Sequence, residues 1–202
     1  MSAVLDDVLA RPDVWRGQAV LPAVDQTVST GFGDLDRQIG GWPRGALTEV
    51  LVDGEGLGEL SLLMPALAQL SEQSRWIAWV APPYVPYAPE LVRRGVDPSR
   101  VLIVRPKTPE DTLWALEQAL RSGTCSAVLA WPGLLDERAL RRLQVAAGSG
   151  DCWGIVFQSG RAIRRASPAA LRLRLQPRER GVTLDIIKCR RHGSGQLALD
   201  LY

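Results

Sequence analysis

The chain has 202 residues, of which 46% are hydrophobic and 23% are charged, and its net charge is +2. This is ordinary globular composition and suffices for one domain with a sizeable core. No apolar run reaches the ~18–20 residues of a membrane span and no signal peptide is recognisable, so we expect a cytoplasmic protein. The single histidine argues against a His-based metal site or a Ser-His-Asp triad.

Positive charge is concentrated at one end of the chain. Residues 161–202 contain ten Lys/Arg against three Asp/Glu, a balance of +7. Clustered basic residues indicate either an anionic partner such as nucleic acid or a solvated basic face. The distribution of charge alone leaves both interpretations open.

The first 28 residues are predicted to form a short helix and an extended arm, preceding a core domain at residues 29–202. Pro12 ends the helix, and Trp15 in the arm is either buried on the core or an anchor for a partner. The apolar side of the helix consists of Val4, Leu5, Val8 and Leu9.

A glycine-rich turn links a predicted strand at residues 47–52 to a predicted helix. Strand, glycine loop and helix form the layout of a phosphate-binding loop, in which backbone N–H groups and a helix N-terminus face an anion. The expected lysine and hydroxyl are replaced by Glu59 and Leu60, and a carboxylate repels phosphate. The loop is therefore either a decayed nucleotide site or an ordinary strand-to-helix turn. Its residues are Asp53, Gly54, Gly56, Gly58, Glu59 and Leu60.

Short apolar runs alternate with amphipathic helices over the rest of the chain. The runs at residues 76–80, 101–104, 127–131 and 153–157 predict buried strands, with Trp76, Trp79 and Trp153 in the core. Trp114 is expected to widen the apolar face of the helix that follows Thr108. This alternation predicts an α/β fold with a mostly parallel, twisted sheet and helices on both faces. From Ala170 onward, period-two patterns predict half-exposed strands in an antiparallel C-terminal extension.

The segment at residues 29–45 reads STG-x-x-x-LD-x-x-x-GG-x-P-x-G before the first strand and glycine loop. This entry resembles that of a RecA-type ATPase core. Over nearly the full length, the chain resembles the ImuA family, which comprises RecA-like and SulA-like accessory proteins of SOS mutagenesis. The segments that carry this resemblance include GWP at 41–43, VAPPY at 80–84, LRSG at 120–123, RALRRLQVAA at 138–147 and KCR at 188–190.

The resemblance implies a RecA-like core that has lost its catalytic side chains. Glu59 and Leu60 occupy the positions of the loop lysine and threonine, and Trp131 that of the metal-binding aspartate. Because phosphoryl transfer needs a phosphate clamp, a metal clamp and a positioned water, we expect no enzymatic activity and no cofactor. Trp131 is predicted to fill the emptied metal site and to be largely buried near Gly58.

The resemblance also implies a non-catalytic role in error-prone translesion synthesis. The implied partners are RecA, an ImuB-type Y-family-like protein and an error-prone DnaE-type polymerase. The N-terminal arm is expected to contact a RecA-like partner or a second copy of the chain, and the alternative is a helix that packs on its own core. Weak, salt-dependent DNA binding, or a protein-binding face, is expected at Arg161, Arg164, Arg165, Lys188, Arg190 and Arg191.

Two other functions stay open from the sequence. A SulA-like inhibitor of cell division would share the decayed loop and the Leu/Met-rich helix after it, and would act by capping FtsZ. A divergent but active RecA-like ATPase would be stabilised by nucleotide. Inhibition of FtsZ polymerisation separates the first of these from a translesion accessory protein.

Overall fold

A computed structural model describes residues 27–54, 56–190 and 193–201 of the chain. The described residues form ten strands: β1 Thr27–Val28, β2 Trp42–Pro43, β3 Leu47–Val52, β4 Trp76–Val80, β5 Val101–Val104, β6 Cys125–Ala130, β7 Trp153–Ser159, β8 Leu171–Pro177, β9 Val182–Cys189 and β10 Gly195–Leu199. Five α-helices accompany them: α1 Gly33–Ile39, α2 Glu59–Ser71, α3 Ala88–Arg93, α4 Pro109–Arg121 and α5 Glu137–Ser149. Two 3-10 helices lie at Pro98–Arg100 and Gly160–Arg164.

Eight of the strands form one sheet in the order β5-β4-β6-β7-β3-β8-β9-β10. The strands from β5 to β8 in this order are parallel to their neighbours. Strands β9 and β10 extend the sheet in antiparallel fashion. The predicted mixed α/β fold with a mostly parallel sheet and an antiparallel extension is confirmed.

Helices bury apolar residues on both faces of this sheet. On one face, Leu35 of α1 and Leu62 and Leu67 of α2 pack into a cluster that contains Val50 of β3. On the other face, α4 and α5 cover a second cluster, with Leu116 as one of its fully buried members. Each fully buried leucine stabilises the fold by about 1.5–3 kcal/mol relative to an exposed one.

Side chains capping the helices explain where two of them begin. The Thr108 hydroxyl accepts the N–H of Asp111 at the start of α4, with Pro109 at the first helical position. The Asp136 carboxylate accepts the N–H of Ala139 at 2.7 Å at the start of α5. The cap at Thr108 lies where the sequence places the start of α4.

The structure corrects the predictions for two tryptophans and for strand β8. Trp76 is 41% exposed at the start of β4 and so is not a core residue, and Trp114 is 64% exposed and does not widen the buried face of α4. Strand β8 is parallel to β3 and not part of the antiparallel extension on that side. It is also more buried than its alternation predicts, because Arg172 is only 5% exposed.

None of the helices in the described ranges is long and apolar enough to cross a membrane. The predicted N-terminal helix, with Val4, Leu5, Val8, Leu9 and Trp15, lies outside the described residues, as does Arg191.

Candidate functional site

The glycine loop lies between the carboxyl end of β3 and the N-terminus of α2. Gly56 has φ +73° and Gly58, the N-cap of α2, has φ +94°, which are conformations that only glycine adopts readily. Helix α2 has 13 residues, so its N-terminal N–H groups carry a partial positive charge. The turn and the N-terminus of α2, here called the cradle, are therefore electropositive in their backbone.

The carboxylate of Glu59 occupies this cradle. Its Oε1 accepts the backbone N–H of Gly56 at 3.1 Å, and the residue is 9% exposed. Its other oxygen, Oε2, is buried and has no hydrogen-bond partner among the described residues. A negative side chain at a helix N-terminus is stabilising by about 0.3–1 kcal/mol, and here it repels a phosphate from the same place.

The other loop residues have structural roles. Asp53 accepts a hydrogen bond from Arg174 of β8 at 2.8 Å. A side chain at Gly160 would place its Cβ 2.0 Å from Oδ1 of Asp53, so the start of the second 3-10 helix lies close to the loop. Leu60 packs against the core on the α2 face of the sheet. The start of the loop is thus held to β8 by an ion pair and to the 3-10 helix by close packing.

An aromatic stack lies at the position expected for the metal-binding aspartate. The ring of Trp131 stacks on Phe157 at a centroid distance of 4.6 Å and meets Trp79 at 5.7 Å. Trp131 is half-buried, so the prediction of a largely buried ring is only partly met. It lines a cavity together with Gly56 and Glu59.

This cavity has a volume of about 380 Å³ and lies beyond the carboxyl ends of β3, β4 and β6. Ala81 has φ +52°, a strained conformation for a residue with a side chain, and its N–H donates to the carbonyl of Val104. The turn at Ala81 leads into a proline-rich wall at residues 82–87, where Tyr84, Val85 and Tyr87 are exposed. The sequence analysis did not identify this wall as a surface.

The structure brings two of the predicted basic segments together. Arg161, Arg164 and Arg165 are exposed in and just after the second 3-10 helix. From the end of β9, Lys188 Nζ donates to the carbonyl of Ser167 at 2.8 Å, and Arg190 donates to that of Pro168 at 2.9 Å. Lys188 and Arg190 therefore stabilise the segment that leads from the 3-10 helix to β8.

Burial affects both of these basic groups. It is the main cause that lowers the pKa of the Lys188 ammonium, with Arg190 and Arg172 as further positive neighbours. Burial also lowers the pKa of the Arg190 guanidinium.

A buried charged network was not foreseen from the sequence. The carboxylate of Glu49 in β3 accepts hydrogen bonds from Arg172 Nε at 2.7 Å and from Gln158 Nε2 at 2.9 Å. Arg172 also donates to the carbonyls of Ala162 and Arg165. These residues are far apart in the chain, so only an isolated acidic residue in an otherwise apolar strand could have signalled the network.

Comparison with known proteins identifies similar sequences over the same part of the chain. A family described as "Cell division inhibitor SulA" matches residues 45–154. Cell division inhibitor SulA of Yersinia enterocolitica is 34% identical over 114 residues, which cover 56% of this chain and 68% of the relative. Its counterpart from Yersinia pestis is 38% identical over 97 residues, which cover 48% of this chain and 58% of the relative.

The chain thus spans about three-fifths to two-thirds of the length of these relatives. Among solved structures, SulA from Pseudomonas aeruginosa is 30% identical with a TM-score of 0.47, over 56% of this chain and 98% of that one.

These matches overturn the expected translesion role. The matching family and the curated relatives are inhibitors of cell division, so the specific resemblance to ImuA is not supported. The expected partners RecA, ImuB-type protein and DnaE-type polymerase are wrong. The weak DNA binding, or protein-binding face, expected at the basic residues stays a prediction. The family match begins at residue 45 and so leaves out nearly all of the entry motif at residues 29–45, on which the RecA-like interpretation rested.

Proposed function

The chain belongs to the SulA family of cell division inhibitors, and on that premise we propose that it arrests bacterial division during the SOS response by binding FtsZ in the cytoplasm. The observation that carries this proposal is the position of the family match. Residues 45–154 run from β3 through the glycine loop and the proline-rich wall to β7, and so include every element that borders the cavity.

We propose that the chain acts by binding and not by catalysis. The carboxylate of Glu59 and the apolar side chain of Leu60 supply neither of the ligands that a triphosphate and its Mg²⁺ need. In a RecA-like core, the indole of Trp131 would take the place of a third ligand, the aspartate that binds the metal ion. ATP with Mg²⁺ should therefore leave the melting temperature unchanged, whereas ligand at 100 times its Kd would stabilise the folded chain by about 2.7 kcal/mol.

We further propose that the core is RecA-like. What supports this is the chain order of entry segment, first strand, glycine loop and helix, together with a parallel sheet continued by antiparallel strands. In such a core, loss of the nucleotide leaves the outer surfaces as the means of action.

The proline-rich wall is the surface that we propose as the FtsZ contact. Tyr84, Val85 and Tyr87 are exposed on it, and large exposed apolar groups in one patch are typical of protein–protein interfaces. The prolines between them reduce the conformational freedom that binding would otherwise remove.

The test is inhibition of FtsZ polymerisation by the purified chain, measured by sedimentation and by GTPase rate. We expect inhibition near equimolar concentrations. Replacing Val85 and Tyr87 together by Ala should weaken inhibition about tenfold or more, as for an interface hot spot. Val145→Ala, on an exposed position of α5 across the sheet, is the matched control and should inhibit like the parent chain. FtsZ polymerisation that is unaffected by excess chain would overturn the proposal.

A further inference from the structure

The cavity beside the glycine loop combines aromatic walls with one charged group. Its walls include Trp79, Trp131 and Tyr87, interleaved with prolines. Among its described lining residues, Glu59 is the only one that carries a full charge. The site that resembles an anion cradle in its backbone is therefore negative in its side chains.

Glu59 has one carboxylate oxygen that none of the described residues uses as an acceptor. Oε1 accepts the Gly56 N–H, but Oε2 is buried and has no partner within the described part of the chain. A buried acceptor left without a donor costs about 1–3 kcal/mol, and more when it is charged. A ligand that donates to this carboxylate would recover that free energy.

The aromatic walls favour a cation as that ligand. The face of an indole or phenol ring attracts a positive charge within about 6 Å of its centre. A guanidinium fits better than an ammonium, because it is planar, stacks on aromatic rings, carries five donors and is less strongly hydrated. The same rings and the carboxylate disfavour an anionic ligand.

We infer that this cavity accepts the guanidinium of an arginine side chain presented by a protein partner, with Glu59 as its counter-ion and the aromatic rings as its walls. Val85 and Tyr87 line the cavity and are exposed, so its mouth is open to such a partner. The inference rests on the proposed function only for the identity of the partner, because the chemistry of the cavity is independent of it.

The probe for this inference is N-acetyl-L-arginine amide, with N-acetyl-L-citrulline amide as the neutral analogue of nearly the same shape. Binding is followed by the indole ¹⁵N–H resonances of Trp79 and Trp131 in the full chain. We expect saturable shifts with the arginine probe, and binding of the citrulline probe at least about tenfold weaker, because a charge-assisted hydrogen bond is lost.

Two variants assign the binding to the proposed groups. Glu59→Gln removes the charge and keeps an oxygen for the Gly56 N–H, and should abolish the preference for arginine over citrulline. Glu137→Gln, an exposed acid on α5, is the matched control and should retain it. Tyr87→Leu tests the wall at a residue that is 73% exposed, and should weaken arginine binding without disturbing the core.

Equal binding of the two probes, or an unchanged preference in Glu59→Gln, would overturn the inference. A chain that binds the arginine probe but leaves FtsZ polymerisation unaffected would support the cavity chemistry and overturn the proposed function. A chain that inhibits FtsZ polymerisation but does not distinguish the probes would support the proposed function and overturn the inference about the cavity.

Discussion

At the scale of single residues, the buried carboxylate of Glu49 is the most demanding group in the sheet. A charge removed from water is tolerated only when donors surround it. Arg172 and Gln158 supply these donors, and the backbone carbonyls of Ala162 and Arg165 satisfy the other side of Arg172. The network thereby holds the second 3-10 helix against β3 and β8.

Removing one member of the ion pair between Arg172 and Glu49 is expected to destabilise the fold. Arg172→Ala should lower the free energy of unfolding by about 3–5 kcal/mol, because Glu49 is then left as an uncompensated buried charge. Urea denaturation measures this. Arg174→Ala, two residues along the same strand in a half-exposed pair with Asp53, is the matched control and should cost about 1 kcal/mol or less.

The double variant Glu49→Leu with Arg172→Met tests the reason for that loss. Both charges are removed together, so it should be more stable than Arg172→Ala alone. If the double variant is the less stable of the two, desolvation of Glu49 is not the cause.

Single side chains were also the hardest features to predict from the sequence. An acid at position 59, where a phosphate-binding loop would carry a lysine, was visible in the sequence. The hydrogen bond between its carboxylate and the Gly56 N–H depends on loop geometry and was not. Arg172 alternates with leucines, which is a pattern typical of an exposed position. Its burial could not be predicted, because its partner Glu49 lies 123 residues away in the chain. Partners that are distant in the sequence leave no local pattern.

At the scale of elements, a tight contact fixes the entry segment on α2. Gly31 has φ +81°, and a Cβ built on it would lie 2.4 Å from Cβ of Pro65, which is inside α2. The entry segment can therefore pack this closely on α2 only because residue 31 has no side chain. Hydrogen bonds from Ser29 and the Thr30 N–H to the carboxylate of Asp36 hold the same turn.

Gly31→Ala is expected to destabilise the fold by about 2–4 kcal/mol, as the sum of left-handed backbone strain and overpacking against the helix. The midpoint of chemical denaturation gives the value. Gly33→Ala is the matched control, because its nearest neighbour would be an Arg37 side-chain atom at 3.7 Å and it begins a helix. It should be neutral or stabilising by up to about 1 kcal/mol. Equal losses for the two variants would show that close packing at Gly31 does not matter.

Elements built from local signals were predictable from the sequence. Apolar runs gave the parallel strands, and Thr108 with Pro109 gave the start of α4. The direction of β8 was not predictable in the same way. Its period-two pattern is typical of an antiparallel strand, whereas pairing with β3 is decided by the crossover from β7. Trp76 was misjudged because position at the end of a strand, and not residue type, leaves it exposed.

At the scale of the whole molecule, the part of the chain beyond the family match completes the sheet. Strand β8 pairs with the central strand β3, and β9 and β10 continue from it. Without them, β3 would become an edge strand and Glu49 would lose Arg172. The core at residues 29–202 is therefore predicted to fold as a single unit, with the C-terminal strands as an integral part.

Deleting residues 171–202 should abolish cooperative thermal unfolding, because an apolar central strand becomes an unpaired edge. Circular dichroism during heating, with sedimentation to detect aggregation, compares the truncated chain with the full one. A truncated chain that melts cooperatively at the temperature of the parent would contradict the prediction and assign the last three strands to a separate unit.

The stack of Trp79, Trp131 and Phe157 has a consequence for timing. An ATPase or GTPase releases its partner when its bound nucleotide is hydrolysed, so the nucleotide acts as an internal clock. On the proposed function and the proposed RecA-like core, these aromatic side chains take the place of a nucleotide, and no turnover event ends the inhibition. The extent of arrest then follows the number of copies in the cell, and division resumes only as those copies are destroyed or diluted.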